Sequence, residues 1–270
     1  MSSTGFRPWT AALVFIFGLA QATPGLAQGP GDDWDIVRDR RGRAEMAHLQ
    51  FSNGLAIMVQ CKDRSLDVVL GGLPPPGLAI QGGLYPQRPI RLTLRGEDEK
   101  VQFWFVGSDE TTAVSPLPAP FARSLREGGS LHIGVLKDGT DGPVLNYQVE
   151  LPSSSSNLDE VLTTCRKPVE DPRDALLNGI DVEGPLEWTE RPYAPMDDVT
   201  PVSGLAVISC ATRPDGRLHD CEVESEHPRG TTAADYGRDL ARRWRVQMQG
   251  APDAPVPLTR VYFSVSIEFD

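Results

Sequence analysis

Short apolar runs alternate with turn residues along the first half of the chain. Glycine, proline and Asn-Gly or Asp-Gly pairs separate seven such runs, which span 48–51, 54–61, 66–70, 90–94, 101–106, 131–135 and 145–149. Regular short strands with turn signals between them are typical of a β-sandwich or a small barrel. One short helix, at 118–126, is predicted to interrupt the strands. Residues 29–165 are therefore predicted to form a β-rich, sandwich-like domain.

A helix is predicted to close this first domain. Leu158, Val161, Leu162 and Cys165 recur at i, i+3, i+4 and i+7, which places them on one helical face, and serine and asparagine residues precede them as N-caps. Cys165 should therefore point into the core. Residues 166–200, which follow, are rich in proline and acidic residues and show no period. This stretch is interpreted as a linker whose end packs on the second domain through Trp188 and Tyr193.

The segment after the linker begins with a predicted hairpin. Pro214-Asp215-Gly216 is a strong turn signal, because proline suits the second turn position and glycine accepts a positive φ. A turn centred between Asp215 and Gly216 places Cys210 opposite Cys221, close enough for a disulfide. Three further residues share their face, which is therefore predicted to be buried: Ala206, Ile208 and Val223.

A helix and a last strand complete this predicted domain of residues 201–270. Thr232 and Asp235 resemble a weak capping box, and apolar residues then recur at helical spacing as far as Trp244. The chain ends in a strand whose apolar residues alternate from Val261 to Phe269. The order β-β-α-β predicts a small sheet that one helix covers on one side. The whole protein is thus predicted to belong to the α+β class.

The first residues have the pattern of a secretory signal peptide. Arg7 precedes an apolar run at 11–20, and small residues suit cleavage after Ala22 or, as we prefer, after Ala27. The expected leader is therefore 1–27, although a retained membrane anchor is the alternative. In an oxidising compartment, an even number of cysteines favours disulfides. The hairpin register selects Cys210–Cys221, which leaves Cys61–Cys165 by elimination.

Charge and composition narrow the classes of partner. The chain of 270 residues holds 37 acidic and 26 basic residues, for a formal net charge of −11. Nucleic acids and anionic membranes require a basic surface, so neither is an expected partner. The candidate anion-binding stripe at Arg238, Arg242 and Arg245 is the exception, because helical spacing would place all three on one face.

Catalytic motifs are missing from the sequence. None of the four histidines has His-Glu-x-x-His spacing, and no nucleophile elbow, Walker A loop or dinucleotide-binding glycine motif occurs. We therefore expect no enzyme activity, cofactor or metal. Two alternatives are a zinc site at His219 and Cys221 and a hydrolase site between the domains. Glu222, Glu224 and Glu226 are interpreted as the solvated face of a strand. The aromatic run at 103–105 should contact a neighbouring loop or domain.

The ordered pattern of the last 70 residues resembles the C-terminal domain of the TonB energy-transducer family, in a cysteine-bearing variety. The shared features are Gly204-x-Ala206-x-Ile208-x-Cys210, the Asp215-Gly216 turn, Cys221-x-Val223, the Ala-rich helix ending in 241–246, and the closing strand. The resemblance implies that an extended peptide, such as the TonB box of an outer-membrane receptor, adds to the open edge of the sheet. The implied edge residues are Val261, Tyr262, Phe263, Ser264, Val265, Ser266 and Ile267.

Two functions are consistent with this resemblance. The first is a periplasmic protein that binds a TonB-dependent receptor or another periplasmic peptide segment and has no membrane contact once its leader is cleaved. The second is an energy transducer anchored in the inner membrane. Family transducers carry an uncleaved anchor and a long spacer, whereas this chain is predicted to have a cleavable leader and a disulfide-linked β-domain. These departures favour the first function.

Overall fold

The computed structural model describes residues 32–76, 85–136, 144–179, 185–190 and 203–267. The predicted leader and Tyr193 lie outside these ranges. Within the described residues, no helix is both long and apolar enough to cross a membrane. The architecture is mostly β-sheet with three α-helices, so the α+β class is confirmed.

A nine-stranded antiparallel sheet forms the N-terminal unit, by which we mean the described residues of 32–165. Its order is β1-β2-β3-β4-β7-β6-β5-β8-β9. The seven predicted runs became β2 to β6, β8 and β9. The nine strands are β1 Asp35–Arg38, β2 Ala44–Gln50, β3 Ala56–Lys62, β4 Ser65–Gly71, β5 Gln87–Leu94, β6 Lys100–Val106, β7 Ala113–Val114, β8 Gly129–Leu136 and β9 Val144–Leu151.

Strand β7 was missed because its two residues are too short to show a period. It pairs with β4 on one side and β6 on the other, and it thereby joins two four-stranded halves. Both halves contribute to one apolar core, in which Ile57 and Val68 from one half meet Ile133 and Val149 from the other. The N-terminal unit is therefore β-rich, and the two halves of its one continuous sheet share a core.

Two helices cover the open side of this core. Helix α1 spans Pro118–Leu125 and packs on β4, while helix α2 spans Ser156–Thr164 and packs on β1, β2 and β3. Cys165 follows α2, is 2% exposed and forms a disulfide with Cys61 of β3 across a Cα–Cα distance of 5.4 Å. The predicted helix, its inward face and this disulfide are therefore all present.

The C-terminal unit, residues 203–267, contains the predicted β-β-α-β order and one additional short strand, and two short strands of the preceding segment pair with it. Its four-stranded sheet has the order β10-β15-β12-β13, and a separate pair joins β11 to β14. The elements are β10 Leu177–Gly179, β11 Leu186–Glu190, β12 Gly204–Thr212, β13 Leu218–His227, helix α3 Ala233–Ala241, β14 Arg245–Met248 and β15 Arg260–Ile267.

The segment predicted as a linker is partly structured. Its described residues, which we call the bridging segment (166–179 and 185–190), hold a 3₁₀ helix at Pro172–Leu176, followed by β10 and β11. Strand β10 pairs in parallel with β15, and β11 pairs in antiparallel with β14. The partners are far away in sequence, so no local period could have indicated these strands.

Strand β12 is buried on both faces, which corrects the expectation of a sheet covered on one side only. Ala206, Ile208 and Cys210 belong to the core beneath α3, as predicted. Leu205 and Val207 point the other way and lie in a second cluster with residues of the N-terminal unit. A continuous apolar run, unlike alternation, is typical of a strand buried on both faces. That signal was present in the sequence.

Candidate functional site

The candidate site is the edge of β15, which the structure places differently from the prediction. Strand β12 pairs with β15 along its whole length on one side. On the other side, Leu177, Asn178 and Gly179 of β10 pair with Arg260, Val261 and Tyr262. Val261 and Tyr262 are therefore already covered. Among the described residues, no strand pairs with β15 on this side from Phe263 to Ile267.

Side-chain hydrogen bonds hold β10 against the start of β15. The amide nitrogen of Asn178 donates to the hydroxyl of Thr259 at 2.6 Å and to the carbonyl of Leu176 at 3.0 Å, and the Thr259 hydroxyl also donates to that carbonyl at 2.7 Å. A Cβ at Gly179 would lie 2.9 Å from the hydroxyl oxygen of Tyr262, so any larger residue there would have to displace the Tyr262 side chain.

Charged side chains fix the 3₁₀ helix that leads into β10. Asp171 caps it by accepting a hydrogen bond from the amide of Arg173 at 3.1 Å. Hydrogen bonds from the Arg173 guanidinium lower the pKa of Asp171 to about 2, against the opposing effect of burial. Arg123 of α1 donates two parallel hydrogen bonds, from Nε and Nη2, to the carboxylate of Asp174 at 2.5 and 2.7 Å, an arrangement we call a fork. Arg173 pairs with Glu222 of β13. The bridging segment is therefore tied to both units.

An aromatic cluster supports the uncovered part of β15. The rings of Trp188, Trp244 and Phe263 lie 5.0–5.2 Å apart, centroid to centroid. Such contacts contribute beyond simple burial of area. Trp188 comes from β11 and contacts this unit as predicted, and Trp244 is buried. The cluster fixes the strand at the point where its uncovered edge begins.

The two faces of the uncovered strand differ in chemistry. Phe263, Val265 and Ile267 are at most 5% exposed and belong to the core beneath α3. Ser264 and Ser266 lie on the opposite face, and Ser266 is exposed. Because the inward side chains are committed to the core, a partner at this edge would meet mainly backbone groups and the two serine hydroxyls.

The disulfide hairpin behind β15 has nearly the predicted register. Ile208 pairs with Val223 as the predicted centre requires, but irregularities on both sides shift the pairing by one residue. The Cys210–Cys221 disulfide is present, with a Cα–Cα distance of 4.1 Å. Arg260, 3% exposed, donates to the carbonyls of Ser209 and Asp220 at 3.2 and 3.0 Å. This buried guanidinium thus satisfies backbone groups beside the irregularity.

The three glutamates of β13 have specific partners, which corrects their interpretation as a solvated face. Glu222 pairs with Arg173, and Glu224 accepts a hydrogen bond from the hydroxyl of Ser209 at 2.6 Å. Glu226 accepts from the amides of Gly230 and Ala234 at 3.0 and 3.2 Å. A carboxylate at this helix start satisfies amides that have no intrahelical partner.

The predicted capping box at α3 is wrong, because Glu226 of β13 binds the helix start instead. Thr232 occupies the N-cap position but makes no side-chain capping bond, and its buried hydroxyl has no hydrogen-bond partner. The hydroxyl of Thr231 accepts a hydrogen bond from the amide of Ala233 at 3.3 Å, and the carboxylate of Glu226 accepts one from the amide of Ala234. A long-range carboxylate thus replaces the local cap that the sequence indicated.

The arginine stripe does not form. Helix α3 ends at Ala241, and Arg245 begins β14, so the three arginines do not share a helical face. Arg238 pairs with Asp235, and Arg242 pairs with Asp239 at 2.9 Å. The period of the apolar residues continued past the true end of the helix, which misled the prediction.

The second face of the C-terminal sheet packs against the N-terminal unit. Phe105 and Leu117 contact Leu205 and Val207 in one buried cluster. The hydroxyl of Tyr85 donates to the carbonyl of Ser203 at 3.1 Å. Phe105 belongs to the aromatic run that was predicted to contact a neighbouring loop or domain, and the structure shows contact with the C-terminal unit.

Polar contacts extend this interface along β4. The guanidinium of Arg229 pairs with Asp67 of β4 and donates to the carbonyl of Lys62 at 2.6 Å. The ring of His227 lies 5.5 Å from that of Phe105, and burial lowers the pKa of this histidine. The apolar cluster and the ion pair together bury groups from both units.

The described residues offer no metal site. Within the ranges that the structure covers, no group of three or more His, Cys, Asp or Glu side chains could hold an ion. Cys221 is engaged in its disulfide, so it is not available as a thiolate ligand beside His219.

Comparisons with known proteins give weak structural likenesses. No family model matches the chain, and no curated protein matches it. The crystal structure of invasion associated protein B from Bartonella henselae is 18% identical, with a TM-score of 0.37, and the match covers 53% of this chain and 99% of that one. The solution structure of the Pseudomonas aeruginosa TonB C-terminal domain is 13% identical, with a TM-score of 0.26, and the match covers 34% of this chain and 94% of that one.

Proposed function

We propose that this is an exported, non-enzymatic protein that binds an extended peptide segment of another protein by β-strand addition. The carrying observation is the edge of β15 from Phe263 to Ile267, which has no strand partner among the described residues. An unpaired edge presents a row of backbone donors and acceptors that an incoming strand can satisfy. Two disulfides accord with export into an oxidising compartment.

The neighbourhood of this edge suits strand addition. Strand β10 already occupies the same side of β15 over three residues, so the row is geometrically able to accept a strand. The aromatic cluster around Phe263 keeps β15 rigid, and a rigid strand loses little entropy when a partner adds. The resemblance of residues 201–270 to the TonB C-terminal family supplies the class of ligand. That class is a TonB-box-like peptide of an outer-membrane receptor, or another periplasmic segment.

Titration with a synthetic TonB-box-like peptide tests the proposal. We expect the amide resonances of residues 263–267 to shift on addition and their hydrogen exchange to slow. The same peptide with proline at alternate positions should not bind, because proline cannot donate to the ladder. Equal shifts with both peptides, or shifts confined to other strands, would contradict strand addition at this edge.

A pair of lysine substitutions separates the edge from general charge effects. Ser266→Lys places a charge on the uncovered edge, where lysine disfavours strand pairing. We expect it to weaken peptide binding at least tenfold, about 1.4 kcal/mol. The matched control is Gln148→Lys, an exposed position on β9, the edge strand of the other sheet. It should leave affinity unchanged, and equal losses in both variants would count against the proposed site.

A further inference from the structure

A buried arginine in the N-terminal unit lacks a partner for its charge. Arg88 lies on β5, paired in register with Trp104 of β6, and it is 2% exposed. Its Nη1 donates to the carbonyl of Pro74 at 2.7 Å, whereas Nε and Nη2 have no hydrogen-bond partner among the described residues. Buried guanidinium groups are normally paired, because an unpaired charge costs several kcal/mol to remove from water.

Within the part of the chain that the structure describes, no carboxylate pairs with Arg88. None of the ion pairs among the described residues involves Arg88, and the one group that interacts with it electrostatically is Tyr147. The neighbouring sequence at 77–84, GLAIQGGL, contains no acidic residue. Burial lowers the pKa of Arg88, but the ordinary pKa of arginine is so high that the side chain stays charged at neutral pH.

Two other arginines of the same unit make the carboxylate contacts that Arg88 does not make among the described residues. Arg123 uses Nε and Nη2 as a fork to Asp174, while its Nη1 donates to the carbonyl of Pro168 at 3.3 Å. Arg126 repeats this pattern, with its fork on Asp159 and its Nη1 on the carbonyl of Val169 at 2.7 Å. In Arg88 the Nη1–carbonyl bond is present and the fork lacks its carboxylate.

Tyr147 of β9 interacts electrostatically with Arg88, and both side chains bind carbonyls of the same short backbone stretch. Its hydroxyl donates to the carbonyl of Gly72 at 3.1 Å, two residues before the carbonyl that Arg88 contacts. Burial raises the pKa of Tyr147, so the phenol stays protonated at neutral pH. Trp104 and Leu73, both almost fully buried, belong to the adjoining core. A planar fork with apolar surroundings suits a carboxylate, which accepts two parallel hydrogen bonds from it.

We propose that Arg88 is the anchor of a binding site for the carboxylate of a small organic acid. The carboxylate would accept hydrogen bonds from Nε and Nη2, in the place that Asp174 and Asp159 take on Arg123 and Arg126. This site is separate from the β15 edge, lies in the other sheet, and does not depend on the peptide-binding function.

Thermal unfolding of the full chain in sodium acetate, with sodium chloride at equal ionic strength as reference, tests the site. We expect saturable stabilisation of the wild type, about 3 °C or more at high occupancy. Arg88→Met should show no acetate response and should match or exceed wild-type stability without acetate, because it removes the unpaired charge. The control Arg91→Met, on the same strand and paired with Glu99 at the surface, should keep the full response.

A conservative variant and a second measurement keep the test decisive. Arg88→Lys retains the charge but not the fork, so it should fold and lose at least most of the acetate response. The Nε–H resonance of Arg88 should shift with acetate along the same saturation curve as the melting temperature. The proposal is overturned if wild type does not respond, if Arg88→Lys responds equally, or if phosphate stabilises the wild type and acetate does not.

Discussion

The nine-stranded sheet supplies both walls of its own core, whereas the four-stranded sheet depends on other parts of the chain for its cover. In the first sheet, the halves joined by β7 face a common core, and α1 and α2 complete it. In the second sheet, α3 covers one face, and Phe105 and Leu117 of the N-terminal unit cover part of the other. The C-terminal unit is thus stabilised by its packing against the N-terminal unit as well as by its own core.

This difference bears on the proposed site. Covering the face that holds Leu205 and Val207 leaves the edges of the sheet, the edge of β15 among them, as surfaces at which it can still extend. Strand β10, held by the bridging segment, limits that edge to Phe263–Ile267. For the proposed binding function, the N-terminal unit therefore leaves an edge of the sheet, and not this face, for a partner.

Removing the disulfides should give the largest change in the free energy of unfolding, and the change should differ between the two units. Cys61 and Cys165 are 104 residues apart, whereas Cys210 and Cys221 are 11 apart. Chain entropy predicts that replacing the first pair with serine lowers the free energy of unfolding by about 5 kcal/mol, and the second pair by about 3 kcal/mol. Urea unfolding of the two double variants measures both values. A larger loss of unfolding free energy for the Cys210–Cys221 variant would show that the C-terminal unit depends more on its own disulfide than on its packing against the N-terminal unit.

The buried face of β12 gives the next effect. Leu205 is 3% exposed, and Leu205→Ala should cost about 2–4 kcal/mol because it leaves a cavity between the units. Leu258→Ala is the matched control in the same unit, since Leu258 is 74% exposed and should change stability by less than about 0.5 kcal/mol. Denaturant unfolding of both variants checks this. Equal, small costs would mean that the two units do not pack together in solution.

Substituting Asp171 of the bridging segment should give the smallest change in stability, and that change should depend on pH. Because the pKa of Asp171 is lowered to about 2 in the folded state, its contribution is present above the unfolded pKa near 4 and is lost as pH falls toward 2. Asp171→Asn should lower stability by at most about 2 kcal/mol at pH 7 and flatten the acid slope. Thermal unfolding from pH 7 to pH 2 measures it. Asp235→Asn, at an exposed ion pair, should keep the wild-type slope, and an unchanged slope in Asp171→Asn would refute the assignment.

The sequence by itself determined the local elements and the pairings that follow from them. Short apolar runs separated by turn residues marked seven strands of the first sheet, the 3.6-residue period marked α2 with Cys165 facing inward, and the 214–216 turn placed Cys210 beside Cys221. The structure shows the turn as expected, with Gly216 at a φ of 77°. These features depend on neighbours in sequence, so the pattern of side chains is sufficient to indicate them.

Only the tertiary structure decided which surfaces remain available. The pairing of β10 with β15, the Glu226 cap on α3 and the packing of Leu205 on Phe105 join residues that are distant along the chain. Periodicity shows which face of an element is apolar, but it does not identify the partner that covers that face. The family resemblance indicated the β15 edge, but its restriction to Phe263–Ile267 and the lack of hydrogen-bond partners for Arg88 among the described residues depend on those long-range contacts, so neither could be read from the chain alone.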